Sequence, residues 1–236
     1  MRNPIFSQSI PTSELSQEKI SEMYDLFQSC YDQTTFNNFT HDLENKNWIV
    51  TLQDTNNQQI IGFSTLAFYN STVGGKTIGV VYSGDTIINK KYWGTPELPK
   101  CWIRTVLKLS EDCAEPQYWL LISSGYKTYR FLSVFYKEFY PHYNNATPEK
   151  FQRIMDHLAH ERFGEDYHPV QGIVRFSSNA TPLKNGIADI KPKRNHDEHV
   201  KYFIAKNPGS VDGDELVCLT VIHPDNFTPA GKRMAR

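Results

Sequence analysis

The chain has no excess of charge of either sign, and this absence bears on its partners. Its 236 residues carry 25 Lys and Arg against 26 Asp and Glu, which gives a formal net charge of −1. Nucleic acids and anionic membranes attract proteins through clustered positive charge. We therefore expect no nucleic-acid partner, although the total is compatible with a small basic pocket.

The sequence also lacks a long apolar run. No stretch approaches the roughly 18 uninterrupted apolar residues that a membrane-spanning helix needs, and residues 1–8 lack the apolar segment of a signal peptide. Four scattered cysteines, Cys30, Cys101, Cys113 and Cys218, are typical of reduced thiols rather than of a disulfide framework or a zinc site. These absences predict a cytoplasmic protein with no membrane span and no metal.

Large apolar side chains are abundant enough to build a core. Hydrophobic residues make up 39% of the chain and aromatic residues 13%, which excludes a disordered protein. A chain of this length buries most of the surface that its unfolded form exposes. The composition is even, with no repeat and no linker, so we predict one domain spanning residues 1–236.

The order of predicted elements is that of a mixed α/β (α+β) domain. Helical spacing of apolar residues predicts helices, and β-branched or aromatic runs predict strands. We predict a mixed, mostly antiparallel central sheet flanked by helices, with a helical insert at about 141–200 before a final hairpin. Predicted helices are 16–31, 36–43, 96–113, 127–140 and 147–163; predicted strands are 48–52, 60–69, 77–88, 118–123, 172–177, 201–206 and 215–222; 178–199 is predicted as a loop and 231–236 as a frayed tail.

One strand-to-helix turn has the properties of an anion site. The strand that ends at Ile87 and Ile88 leads through a short turn into a helix beginning near Pro96. The first turn of a helix presents amides without intrahelical partners, and its dipole favours an anion there. Gly94 would let the backbone approach a phosphate, and Thr95 could donate a hydrogen bond. A turn that is simply packed by aromatic side chains is the alternative interpretation.

An acid lies inside the same predicted strand. Asp85 precedes Ile87 by two residues, so both side chains should point to one face of the sheet. A charged residue within an apolar strand is unusual unless it is paired or functional. A carboxylate here could orient or deprotonate an amine. Alternatively, residues 83–86 form a strand bulge whose carboxylate caps nearby amides, and both interpretations stay open.

The order of elements outside the insert resembles that of the GCN5-related N-acyltransferase superfamily. In that family a central strand ends in a hydrophobic-x-x-basic pattern and a glycine-rich turn opens a helix, and residues 87–96 stand in that place. Another family pattern, Leu-Tyr-Glu-Lys-x-Gly-Phe, resembles residues 134–140. Trp93 and Pro96 depart from the family's turn, where a basic residue and a glycine are usual.

The resemblance implies an acyltransferase. It would move an acyl group from a thioester donor, either acyl-CoA or an acyl carrier protein, to an amine of a small molecule. On this view Gly94 and Thr95 hold the donor's phosphate, and the backbone of Ile87 and Ile88 lines its pantetheine arm.

The resemblance also implies roles at the reacting atoms. Asp85 would orient or deprotonate the amine, and Tyr136 would protonate the leaving sulfur, because a neutral phenol can donate a proton. The insert would cover the acceptor side. The alternative for Tyr136 is a packed core or rim aromatic with no catalytic role.

Two other functions are compatible with the same fold. One is a catalytically inactive acyltransferase-like module that binds a ligand or a protein. The other is a synthase of the acyl-homoserine-lactone type, a related branch that Phe39, Asp42 and Lys46 match only loosely.

Overall fold

A mixed sheet separates two layers of helices. The computed structural model describes residues 4–177, 180–187, 189 and 194–236, so the predicted loop at 178–199 lies partly outside the described residues. In chain order the elements are β1 Ile5–Pro11, α1 Gln17–Gln28, α2 Phe36–Glu44, β2 Trp48–Asp54, β3 Ile60–Val73, β4 Lys76–Ile88, α3 Glu97–Ser110, β5 Gln117–Ser123, α4 Tyr126–Phe135, β6 Phe139–Tyr140, α5 Glu149–Phe163, β7 Tyr167–His168, β8 Ile173–Val174, α6 Glu198–Lys206, β9 Glu215–Val221 and α7 Pro229–Ala235.

The described strands form one sheet in the order β1-β2-β3-β4-β5-β9-β8-β7, with β6 also paired to β9. Within this sheet β4 and β5 are the parallel neighbours, and every other paired strand is antiparallel. The fold class predicted from the sequence, a mostly antiparallel sheet flanked by helices, is confirmed.

Successive side chains of the central strand β5 point to opposite faces of the sheet, and their contacts show which helices cover each face. On β5, Trp119 and Leu121 join a core cluster with residues of α3, α4, α6 and α7. Leu120 and Ile122 point the other way and join a cluster with α5. A third cluster packs α1 and α2 against Ile49, on the face of β2 opposite to the α3 side. The strand β5 is therefore buried on both faces, as its uncharged sequence predicts.

The two central parallel strands separate before they end. Their pairing stops at Ser83 of β4 and Leu121 of β5, yet β4 continues to Ile88 and β5 to Ser123. Beyond this point the facing edges of the two strands have left the ladder, and a gap opens in the middle of the sheet.

A β-bulge lies where the gap begins. The register of β3 against β4 shifts between Ser64 and Leu66, so that Gly84 and Asp85 together stand opposite one residue of β3. A bulge of this kind bends a strand and increases its local twist. The strand bulge weighed from the sequence is therefore present, at the end of β4 that leaves β5.

Helices with clear caps were predicted well, but the fourth helix is shorter than predicted. Ser16 caps α1 by accepting from the Lys19 amide at 3.3 Å. The predicted helix 127–140 instead ends at Phe135, because Tyr136 takes an extended conformation and bridges to Phe227. The chain then adds the short strand β6 beside β9.

The predicted strand at 201–206, and with it the predicted final hairpin, is wrong. This segment is helix α6, which the Asp197 side chain caps by accepting from the His199 amide at 3.2 Å. Val200 and Phe203 face the core cluster that contains α4, and the rings of Tyr129 and Phe203 lie 5.6 Å apart. Packing on α4 outweighs the strand propensity of the segment, and β9 pairs with β5 instead.

Residues near both ends of the chain form regular elements, although 231–236 was predicted to be frayed and no element was predicted for 5–11. Residues 5–11 form an edge strand that pairs with all seven residues of β2. The predicted tail at 231–236 belongs largely to helix α7, where the Thr228 hydroxyl accepts from the Gly231 amide at 3.1 Å. Neither end carries a long apolar pattern, so these elements depend on what they pack against.

One buried amide should be important for stability at the end of β5. The Asn207 side chain is fully buried and donates to the carbonyls of Asp214 at 2.8 Å and Ser123 at 3.3 Å. Asn207→Ala should lower the free energy of unfolding by about 1–3 kcal/mol, because buried carbonyls lose their donor. Urea unfolding measures this, and the exposed Asn145→Ala should change it by less than about 0.5 kcal/mol. Equal effects of the two substitutions would contradict the assignment.

Candidate active site

A cavity of about 1180 Å³ opens where β4 and β5 separate. Its walls come from the end of β4, the end of β5, the starts of α3 and α4, the segment between α1 and α2, and the C-terminal part of α5. Because the gap interrupts the sheet itself, the cavity is bounded by elements from both helical layers. Such a mixed wall brings together side chains that are far apart in the sequence.

The structure brings most of the predicted site residues to this cavity. Its lining includes Asp85, Ile87, Ile88 and Gly94, but not Thr95 or Tyr136. The end of β4 and Gly94 therefore lie at the cavity, whereas Thr95 and the proposed proton donor do not.

The bulge beside Asp85 is packed too tightly for any side chain but glycine. A Cβ atom on Gly84 would lie 2.6 Å from the Thr65 hydroxyl and 2.7 Å from Cε of Lys46. The Lys46 side chain is fully buried, and its ammonium binds both carboxylate oxygens of Asp42 at 2.6 and 2.7 Å. The salt bridge between Lys46 and Asp42 of α2 thus packs against the bulge and fixes the position of the backbone that carries the Asp85 side chain.

Two carboxyl groups face the cavity with pKa values close to neutral. Burial raises the pKa of Asp85 to about 7; Asp42 also raises it, and Lys46 lowers it. Burial likewise raises the pKa of Glu215 to about 8, with further contributions from Asp85 and Asp42. The two groups repel each other, so ionisation of one disfavours ionisation of the other. Near pH 7 this pair can therefore exchange a proton with a ligand.

Glu215 and Tyr31 were not predicted from the sequence. Glu215 begins β9, on the far side of β5 from Asp85, and topology alone brings the two together. Tyr31 follows α1 and bridges to Leu183. Burial, followed by Asp85 and Glu215, raises the pKa of the Tyr31 phenol well above its usual value, so the group stays neutral. No local motif marks either residue.

Tyr136 lies in the core, away from the cavity. It is 1% exposed, and its ring packs between Trp119 at 5.6 Å and Phe227 at 5.2 Å, measured between centroids. Its hydroxyl has no hydrogen-bond partner among the described residues, and burial raises its pKa far above the usual value. This position does not support the predicted role of protonating a leaving sulfur.

Trp93 binds the strand end that was expected to meet the pantetheine arm. Its indole Nε1 donates to the Ile88 carbonyl at 2.7 Å. The ammonium of Lys127 lies 3.7 Å from the centroid of the Trp93 ring. Trp93 therefore closes one side of the turn, while the cavity beside Ile87 and Asp85 stays open.

The start of α3 offers fewer amides to an anion than predicted. Pro96 and Pro99 have no N–H, and the Glu97 amide donates to the Thr95 hydroxyl at 3.3 Å. Of positions 96–99, only Leu98 can therefore present an amide to a ligand. The Glu97 carboxylate adds negative charge to the first turn. Gly94, at φ 85°, supplies the left-handed turn that precedes it.

Comparison with solved structures finds N-acyltransferases. A probable N-acyltransferase from Enterococcus faecalis V583 is 14% identical over 58% of this chain, with a TM-score of 0.44. N-myristoyltransferase from Saccharomyces cerevisiae with bound myristoyl-CoA is 13% identical over 52%, at 0.41. A GNAT-family N-acetyltransferase from Escherichia coli in complex with CoA is 14% identical over 56%, at 0.40. The likeness is one of fold.

These matches are partial on both sides. They cover 33%, 30% and 70% of the three solved chains, so this protein spans about a third of the length of the first two. No protein-family model and no curated relative matches the sequence. The solved structures come from the superfamily that the sequence resembles, but at these TM-scores they carry no argument about activity. No helix among the described residues is long and apolar enough to cross a membrane.

Replacing the buried phenol of Tyr136 tests its assignment to the core. Tyr136→Phe should leave the free energy of unfolding unchanged or raise it by about 1 kcal/mol, because a buried hydroxyl without a partner is removed. Tyr129→Phe is the matched control: its hydroxyl donates to the Pro141 carbonyl at 3.0 Å, so its loss should cost about 1 kcal/mol. Urea unfolding compares the two. A loss of unfolding free energy in Tyr136→Phe as large as in Tyr129→Phe would show that the Tyr136 hydroxyl has a hydrogen-bond partner and would contradict its assignment.

The two carboxyl groups should make stability depend on pH. Their folded pKa values, about 7 and about 8, exceed the ordinary values of 3.8 and 4.5. The folded state then binds more protons than the unfolded state, so stability falls as the pH rises from about 4 to about 8. Unfolding in urea at several pH values should show a flatter dependence for Asp85→Asn and Glu215→Gln. An unchanged slope in both variants would show that these carboxyls ionise normally.

Proposed function

We propose that this protein is an acyltransferase that moves an acyl group from a thioester donor to an amine of a small molecule. The supporting observation is the gap between β4 and β5 beyond Ser83 and Leu121, which opens into the cavity beside Asp85. An unpaired strand edge can bind an extended chain that carries amide groups. The pantetheine arm of a thioester donor has this chemistry, so the gap suits it.

Asp85 is the proposed base for the acceptor amine. An amine must be neutral to attack a thioester, and a carboxylate with a pKa near 7 can take its proton at neutral pH. The nitrogen then forms a bond to the acyl carbon, and the carbon–sulfur bond breaks. Burial and Asp42 hold the pKa of Asp85 at about 7, Asp85 in turn raises that of Glu215 to about 8, and together the two carboxyls hold the released proton.

The leaving thiolate needs a proton, and Tyr31 replaces Tyr136 as the proposed donor. Tyr31 lines the cavity, and its pKa responds to both Asp85 and Glu215. A neutral phenol can donate to the sulfur and regain a proton from the carboxyl pair. The product thiol leaves protonated, and the protein returns to its starting state.

The donor is proposed as a pantetheine thioester, carried either by CoA or by an acyl carrier protein. Gly94 and the Leu98 amide remain as contacts for a phosphate. These two contacts make a weaker anion site than a helix whose first amides are all free. The proposed compartment is the cytoplasm, since all four cysteines are free thiols.

Binding without turnover is a second candidate function. It is favoured by the bond from Trp93 to the Ile88 carbonyl and by the two prolines at the start of α3, which leave the turn short of donors. Such a module would keep the cavity and bind a thioester or a partner without transferring the acyl group.

Asp85→Asn separates the two candidates. With acetyl-CoA and a panel of primary amines, release of the free thiol should fall at least about 100-fold in kcat/KM, because the base is lost. For the wild type, kcat/KM should rise with pH up to about pH 7, where Asp85 becomes ionised. The exposed Asp25→Asn is the control and should retain activity. Full activity of Asp85→Asn would remove Asp85 from the mechanism, and a wild type that releases no thiol would favour the binding module.

A further inference from the structure

An arginine that forms no ion pair with any described carboxylate lies on the wall of the cavity that α5 provides. The guanidinium carbon of Arg162 is 3.7 Å from the centroid of the Tyr82 ring, and the residue lines the cavity. None of the ion pairs formed among the described residues includes Arg162. Stacking on an aromatic ring orients a guanidinium but does not neutralise its charge.

The other arginines of this cavity differ from Arg162 in this respect. Arg130 binds the Asp197 carboxylate at 2.8 Å, and Arg194 binds the same carboxylate at 3.5 Å. On α5 itself, Arg153 lies 3.7 Å from Glu149. Arg162 is thus a half-buried cation that stacks on Tyr82 and lies beside the Tyr69 phenol, whose pKa it lowers, and no carboxylate among the described residues neutralises its charge.

Arg162 and the two carboxyl groups all interact electrostatically with Tyr82. Burial raises the pKa of the Tyr82 phenol well above its usual value, and Asp42 raises it further. Arg162 lowers this pKa, whereas Glu215 and Asp85 raise it. Tyr82 precedes Asp85 by three residues on β4. The Lys46 ammonium also lies 5.4 Å from the centroid of the Tyr82 ring. Arg162, Asp85 and Glu215 line the same cavity as Tyr82, so a cation on α5 and two acids at the gap face one space.

We propose that the acceptor is an amine that carries an anionic group, bound with its nitrogen at Asp85 and Glu215 and its anionic group at the Arg162 guanidinium. This rests on the proposed function and specifies the substrate class. A planar guanidinium matches a carboxylate or a phosphate through two parallel hydrogen bonds. We call Asp85, Glu215 and Arg162 the acceptor subsite. A ligand with a positive and a negative group would match the opposite charges of this subsite.

Charge complementarity of this kind gives selectivity. A plain amine would leave Arg162 without a counter-ion, and an acid without a nitrogen would be repelled by the carboxyl pair. The subsite should thus reject both in favour of a molecule that joins the two groups, such as an α-amino acid or an amino alkyl phosphate.

Isothermal titration with matched ligand pairs tests the proposal without relying on turnover. The pairs are L-leucine with 3-methylbutylamine, L-phenylalanine with 2-phenylethylamine, and phosphoethanolamine with ethanolamine, each added to the protein with CoA present. The member with the anionic group should bind at least about tenfold more tightly in one pair or more. A preference in the amino acid pairs assigns a carboxylate, and one in the phosphate pair assigns a phosphate.

Variants on one helix separate this role from a structural one. Arg162→Gln should abolish the preference and weaken binding of the anionic member at least about tenfold, while hardly changing the plain amine. Arg162→Lys, which keeps the charge, should retain part of the preference, and Arg153→Gln should retain all of it. Thermal unfolding of each variant confirms that it is folded.

Three results would overturn the proposal: no pair shows a preference, no ligand binds, or Arg162→Gln weakens both members of a pair equally. Thiol release from acetyl-CoA is followed separately with the same ligands. Selective binding without thiol release would support the proposed binding of an anionic amine at Arg162 but contradict the proposed acyltransferase activity.

Discussion

The bulge at Gly84 and Asp85 is the feature on which the site depends. It is fixed from one side by Lys46, whose stem fills the space where a Cβ of residue 84 would lie. The extra residue bends β4, and pairing with β5 ends at Ser83. The gap, the cavity and the direction of the Asp85 carboxyl all follow from this bulge.

The charges around the gap leave the Asp85 and Glu215 carboxyls with pKa values near neutral. Burial alone would keep the carboxyls of Asp85 and Glu215 protonated, and their mutual repulsion adds to this. The Lys46 ammonium opposes the shift, but much of its charge is taken by Asp42. A bound ammonium would compensate the ionised pair, which gives the acceptor nitrogen an electrostatic reason to bind there.

Local signals in the sequence predicted elements, whereas the site depends on contacts that no local signal reveals. The Ser16 cap and apolar periodicity predicted α1, apolar periodicity predicted α2 and α3, and a charge within an apolar strand pointed to Asp85. The segment 201–206 was mistaken for a strand because its aromatic and β-branched residues suit either state, and packing on α4 decided it. Glu215 and Arg162 stand on elements far along the chain, and only the sheet order and the position of α5 bring them to the cavity.

A crystal structure with a non-reactive thioether analogue of acetyl-CoA tests the central claim most directly. The account predicts that the pantetheine arm lies between β4 and β5 beyond Ser83 and Leu121, with its acyl end beside Asp85. A ligand bound elsewhere, with the gap filled by protein side chains, would contradict it.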